Sequence, residues 1–331
     1  MSAIVAPDGS PLSAAVLSCA SLERTAAFYC DVIGFDAAPE QVWAGELFER
    51  WWNLPRGSSA RMCLLTASDC PIGRILLLAF IAPRREPIRP AANSLVFGLA
   101  NLNFYTADVC AATARLRRAG LQFWSEPTAH RLSAAVGSPI EVVFDGPDGV
   151  AINLVELATA DANTRIGQMR AYVERHGWTR AGFTPVVTTA HVARDLARAR
   201  RFYEQVCRMG VLFEDLMSAE RVNAFLRLPP DARTRIVFLQ GAHMFGKIAL
   251  SEPLNYAAQC IDLTTRARAP NIGYLAQHFV VRDVDAACAA AQALGAEMIV
   301  PPVAMAVPGL APMRHFLARN PGSGALMWIA G

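Results

Sequence analysis

Short apolar runs of strand length alternate with helical stripes along the chain, and the order repeats. Ala14 to Ala20 reads as a strand. It leads into Leu22 to Ile33, where Leu22, Ala26, Tyr29 and Ile33 recur at helical spacing and Gly34 marks a helix stop. Strands at Arg61 to Thr66 and Arg74 to Ile81 follow, joined by Ser68-Asp69-Cys70-Pro71. A second unit has a strand at Leu99 to Thr106 and a helix at Val109 to Ala119, ended by Gly120. Strands at Leu121 to Ser125 and Glu141 to Phe144, the turn Gly146-Pro147-Asp148-Gly149 and a strand at Val150 to Leu157 complete it. Each unit is read as strand, helix, three strands, with two of those last three located in the first unit.

These units return. Phe28-Tyr29 in its helix recurs as Phe202-Tyr203, 174 residues on, and the same offset takes Leu54-Pro55 to Leu228-Pro229 and Pro147 to Pro321. Asp108-Val109 through Gly120 returns as Asp283-Val284 through Gly295, 175 residues on. The chain is therefore one half made twice, four βαβββ modules in tandem. Modules 1 and 2 (about 13–83 and 97–158) fill residues 1–158, with a loose arm at 1–12 and a linker bearing Pro83, Pro87 and Pro90. Residues 159–183 break the pattern with a connecting helix stopped at Gly177, and modules 3 and 4 (about 184–256 and 271–330) fill 184–331.

Composition narrows the class. Hydrophobic content is 53%, yet no apolar run approaches the roughly 20 residues of a membrane span. The apolar residues thus serve cores or an apolar cavity. A net charge of +3 with scattered Arg residues gives no nucleic-acid footprint. Residues 1–12 lack the basic and apolar segments of a signal peptide, and the eight Cys show no C-x-x-C spacing. A cytoplasmic protein with buried free thiols, Cys19, Cys63 and Cys110 among them, is expected. With both halves in one chain, a monomer or a homodimer is expected.

Four such modules, with D-L-x-x-A-x-x-F-Y-type helices and P-D-G turns before a last strand, resemble the vicinal oxygen chelate superfamily of glyoxalase I, bleomycin-resistance proteins and extradiol dioxygenases. The resemblance implies an α+β fold of two half-open β-barrels with helices outside, modules 1 and 2 making one barrel and modules 3 and 4 the other. It also implies a divalent metal, held by a first-strand ligand, mostly His, and a last-strand ligand, mostly Glu. Those positions fall here on Ala14, Asn101, Thr188 and Ala276, and on Ala79 or Leu76, Asn153, Ala249 and Met327. None supplies imidazole or carboxylate, so no metal and no other cofactor is expected.

Residues two apart on a strand share a face. Asn101, Asn103, Tyr105 and Asn153 are therefore candidates for a polar clamp in one barrel. Lys247, His278, Ser251, His243 and His315 are candidates for an acid–base or anion-recognising site in the other, with Lys247, His278 and His243 as the catalytic set. Asn101, Asn103, Asn153, Tyr105, Ser251 and His315 would then contact substrate. Two buried amides bonded to each other, and a His satisfied in a core, are the structural alternatives. Trp43, Phe48, Trp51 and Trp52 read as core or a cavity lid, or else as the lining for a flat ligand. The expected function is a metal-independent isomerase or lyase acting on a small apolar or aromatic carbonyl compound. The alternative is a non-catalytic protein that sequesters a small molecule. A small-molecule partner, and neither nucleic acid nor membrane, is expected.

Overall fold

The computed structural model describes residues 4–67, 69–81, 85–90, 94–130 and 135–331; Ser68 of the first hairpin and Pro83 of the linker lie outside these. Four helices open the modules: Leu22–Ala27, Val109–Arg118, Leu196–Gln205 and Val284–Ala293. Each begins at a capping side chain. Ser21, Asp108, Asp195 and Asp283 accept from the backbone N–H groups of Arg24, Ala111, Arg198 and Ala286. In module 1 the helix continues through a wider π-type turn, Phe28–Ile33, to Gly34. The aromatic stretch of module 1 is itself partly helical, over Glu46–Trp52. The connecting helix runs from Arg165 to His176 and stops at Gly177. The strand expected over Leu121 to Ser125 is reduced to one bridge, Phe123 with Phe144.

The strands form two curled sheets, as the α+β expectation requires. Their composition corrects the expected pairing of modules. One sheet runs Glu297–Met305, Met313–Arg319, Leu326–Ala330, Gly273–Val280, Leu12–Ser18, Cys70–Ile81 and Ser59–Ala67, which joins module 4 to module 1. The other runs Gly210–Met217, Thr234–Gln240, Lys247–Pro253, Thr188–Val192, Val96–Thr106, Ala151–Glu156 and Ile140–Asp145, which joins module 3 to module 2. The seams are antiparallel, with Val16 opposite Ala276 and Thr188 opposite Asn103. Each barrel therefore draws on both halves of the chain, and the boundary at 159–183 does not separate barrels. The four first strands are near-equivalent, so alternation alone cannot say which two will pair. Side-chain fit inside each barrel decides it.

The halves stay joined in the helix layer. Asp148, in the turn before the last strand of module 2, accepts from Thr25 Oγ1 at 2.6 Å and from the Ala20 amide at 3.0 Å in module 1. The matching turn of module 4 meets module 3. Asn320 Nδ2 donates to Ala199 O at 3.1 Å, and a Cβ on Gly322 would stand 2.2 Å from the Ala199 nitrogen, so only glycine fits. One apolar core fills the space between these helices and the convex faces of both sheets, with Tyr29, Phe104, Phe202 and Phe316 among its largest members. The N-terminal arm is packed rather than loose over its described part: Ser10 donates its amide to Cys207 O at 2.7 Å, and Ala242 donates to Gly9 O at 2.7 Å. All eight Cys are unpaired; Cys19 and Cys63 are buried as expected. Cys110 is exposed, because it lies off the Val109, Ala112, Leu116 stripe that faces the core.

Candidate ligand-binding cavity

The two barrels have taken different interiors. In the module 1/4 barrel the indoles of Trp43, Trp51 and Trp52 pack on Trp328 with ring centres 5.7, 5.4 and 5.9 Å away. The aromatic stretch of module 1 is therefore a plug of the barrel core, not the wall of a site for a flat ligand. His278 and His315 belong to this plug. The Trp328 indole Nε1 donates to His315 Nδ1 at 3.0 Å, which leaves the proton of His315 on Nε2, 3.2 Å from Met305 O. His278 lies 5.1 Å from the Trp328 ring, and burial, helped by Arg74 and His315, pushes its imidazolium down to about 3. It is neutral at neutral pH.

The module 2/3 barrel keeps a cavity of about 240 Å³. Asn101, Asn103, Asn153 and Ser251 all stand on its wall. Asn103 lies directly across from Asn153 on neighbouring strands. Asn153 Nδ2 donates to Glu141 Oε2 at 2.6 Å. Phe213, Phe238, Ile236 and Val192 make much of the remaining wall apolar. Register relates the two interiors. Asn103 with Asn153 corresponds to His278 with Trp328, since these are the facing pairs of the two seam-flanking ladders. By the same register the inward residue of the last strand of module 4 is Trp328, whereas Met327 faces Tyr203 in the helix-side core. In module 1 it is Leu76, not Ala79, that stands where Ala249 stands in module 3. The bond from Asn153 to Glu141 thus has its counterpart in the bond from Trp328 to His315.

The expected pairing of Lys247 with His278 is not formed, because the two lie in different sheets. Lys247 closes the far end of the module 2/3 barrel, beyond the cavity wall. Its Nζ donates to Met244 O and sits 5.4 Å from the Tyr105 ring centre. Tyr105 is likewise beyond the wall, its hydroxyl 3.0 Å from Met169 Sδ. His243 accepts from the Phe245 amide through Nδ1 at 3.0 Å and meets Tyr172 Oη through Nε2 at 3.1 Å. Burial, with Lys247 and His176 adding to it, pushes His243 down to about 4. These residues form a closed end-wall.

Burial pushes the Lys247 ammonium down to about 7. In the unfolded chain a Lys keeps its proton to roughly 10.4. Between pH 7 and that value the unfolded state binds more protons than the folded one, so stability rises with pH. The slope approaches about 1.4 kcal/mol per pH unit. Lys247→Met is expected to flatten the rise of the urea midpoint between pH 7 and 9, and to exceed wild type in stability at pH 6. A variant that keeps the wild-type slope would place the titration on another group.

The wall also holds residues that the sequence reading passed over. Arg89, Trp124, His130 and Glu141 line it, as does the bonded pair Thr234 Oγ1 and Tyr256 Oη, 2.8 Å apart. Glu141 had a signal: it lies on the strand paired to that of Asn153, at even spacing from inward Val143. Arg89 had none, since it lies between prolines in a segment without periodicity. Several wall atoms are buried without a hydrogen-bond partner among the described residues: Oδ1 of Asn101, Asn103 and Asn153, both ring nitrogens of His130, and Nη1 of Arg89.

Residues 12–154 match the Glyoxalase/Bleomycin resistance protein/Dioxygenase superfamily. The match supports the expected resemblance over these residues. The fold likeness extends over the whole chain. Glyoxalase I from Zea mays superposes with a TM-score of 0.58 at 14% identity, covering 97% of this chain and 92% of its own. A putative dioxygenase from Bacillus subtilis superposes with a TM-score of 0.58 at 10% identity, covering 98% and 86%. At such identities the likeness is one of fold. No curated protein matches the chain in sequence. Among the described residues no helix is long and apolar enough to cross a membrane.

The divalent metal implied by this superfamily does not fit the residues present. Among the described residues the cavity wall offers one carboxylate, Glu141, already engaged by Asn153, and one imidazole, His130, on a separate segment. Among the described residues no three His, Cys, Asp or Glu side chains converge. Neutral amides in place of imidazole and carboxylate are poor holders of the Zn or Fe that such barrels accommodate.

Proposed function

We propose that the protein binds a small, mainly apolar molecule in the module 2/3 barrel and holds a polar group of it on the amides of Asn101, Asn103 and Asn153. One observation carries this reading. Three buried amide oxygens without partners among the described residues converge on one largely apolar cavity. A buried polar atom left unpaired costs about 1–3 kcal/mol, and a ligand donor placed among the three removes that cost. Apolar walls with a few convergent polar groups are the common form of a small-molecule site. The module 1/4 barrel then acts as a packed partner, its interior taken by tryptophan.

A second reading is metal-independent proton transfer on the same ligand, in an isomerase or lyase sense. It is favoured by two ionisable wall groups: Glu141, held in place by Asn153, and His130, with neither ring nitrogen partnered among the described residues. The pair Lys247 and His278 has no part in it.

Titration calorimetry with small aryl amides, alcohols and hydroxy acids, each carrying a donor for the amide oxygens, separates these readings. Saturation at one ligand per chain, weakened roughly tenfold by Asn153→Ala, which is the net worth of one hydrogen bond, is expected for binding. Recovery of altered ligand beyond one equivalent establishes turnover. If no compound of the panel saturates the chain, the cavity is not a binding site for this class.

A further inference from the structure

The orphaned atoms of the cavity are not all neutral. Arg89 is only 7% exposed, and it stands on the wall. Its Nη2 donates to Ala100 O at 2.9 Å, which ties the guanidinium to the start of the inward face of module 2. Its Nη1 has no partner among the described residues. The Trp124 ring centre lies 5.8 Å from the guanidinium carbon. The carboxylate nearest in influence, Asp145, is engaged elsewhere, accepting from Trp124 Nε1 at 2.9 Å. A second cation, Arg227, lies 5.7 Å from the same Trp124 ring. Burial pushes Arg89 down to about 10. A guanidinium withdrawn from water with no carboxylate in hydrogen-bond contact is costly, and proteins that keep one normally pair it.

Position along the barrel adds direction. Arg89 is held at the level of Ala100, whereas the Asn103–Asn153 pair lies three residues further along the strand, about 10 Å at strand rise. Glu141, paired with Val155, lies further still in the same direction. The cavity is thus polarised: the cation lies near Asn101 at one end, and the Asn103 and Asn153 amide oxygens lie with a carboxylate towards the other.

We infer that the ligand is a small aryl or alkyl carboxylate that also bears a hydrogen-bond donor, its carboxylate received by Arg89 Nη1, its donor facing the amide oxygens and its apolar body lying along Phe213 and Phe238. This inference rests on the binding site proposed above. A charge-assisted hydrogen bond in a dry site is about twice as strong as a neutral one, so Arg89 selects acid over amide.

The test uses the whole chain and two probes of one shape, phenylacetate and phenylacetamide, titrated at pH 7. Phenylacetate is expected to bind at least tenfold more tightly. In Arg89→Gln that preference is expected to vanish while phenylacetamide affinity is kept, and Arg89→Lys is expected to retain part of the preference. Equal affinities in wild type, or an unchanged preference in Arg89→Gln, overturn the inference. If Arg89→Gln fails to fold, the wild-type ratio decides alone. The two readings fail separately. Neutral aryl compounds that saturate the chain while carboxylates gain nothing remove only the carboxylate. Absence of saturation by every probe removes the site as well.

Discussion

Trp328→Ala is expected to destabilise the chain by about 3–5 kcal/mol, the range for a buried aromatic truncated to alanine. Trp328 is fully buried. It touches Trp43, Trp51 and Trp52 from module 1 and His278 and His315 from module 4. Removing the indole opens a void between rigid rings that cannot collapse into it, and it strips His315 Nδ1 of its donor. Both effects add. Urea denaturation measures the loss. Because Trp328 fills one barrel and the ligand is proposed for the other, the variant should still bind below its own midpoint. A cost under about 1 kcal/mol would mean that the plug contributes little and that the barrel interior re-packs.

Ala249→Phe is expected to abolish ligand binding, a loss of at least a hundredfold, with little change in thermal midpoint. Ala249 lies on the cavity wall, across from Phe238 on one side and Ala190 on the other. A phenyl ring there occupies the space that the ligand's apolar body needs, in a cavity of only about 240 Å³. In a closely packed core such an insertion costs about 1–3 kcal/mol. Here it enters space that already exists, so the strain is small. Calorimetric titration with the aryl panel, run beside a thermal melt, separates filling from unfolding. Binding that survives in a folded Ala249→Phe protein would place the ligand outside the module 2/3 barrel.

That the three amides would share one face was visible beforehand, for a specific reason. Strand alternation puts Asn101 and Asn103 on one face, and the P-D-G turn sets the start of the strand that carries Asn153. Both inferences are local, and the structure brings these three amides together on one wall. Lys247 and His278 each point inward as alternation requires. What alternation could not say is that two inward faces belong to different interiors. Their expected partnership assumed that modules 3 and 4 close on each other, and sheet pairing runs the other way. Met327 against Trp328 is the same kind of difference at smaller scale: one residue of register moves a side chain from the core to the cavity face. Arg89 was out of reach altogether, since neither charge nor position in a Pro-bracketed segment announces that a residue will be buried against Ala100 and Trp124.

The sequence by itself determined the βαβββ modules, their duplication, the caps that start their helices and the absence of the superfamily's usual ligand residues from their expected positions. These are consequences of spacing and residue type, which act over a few residues. Tertiary structure alone decided which modules share a barrel, and that one barrel is filled by tryptophan while the other holds a cavity. It also decided that a linker arginine ends beside that cavity. The first strands of the four modules present the same kind of backbone edge, so long-range side-chain packing must distinguish them. Here the stack of Trp43, Trp51 and Trp52 on Trp328, drawn from opposite ends of the chain, belongs to that packing.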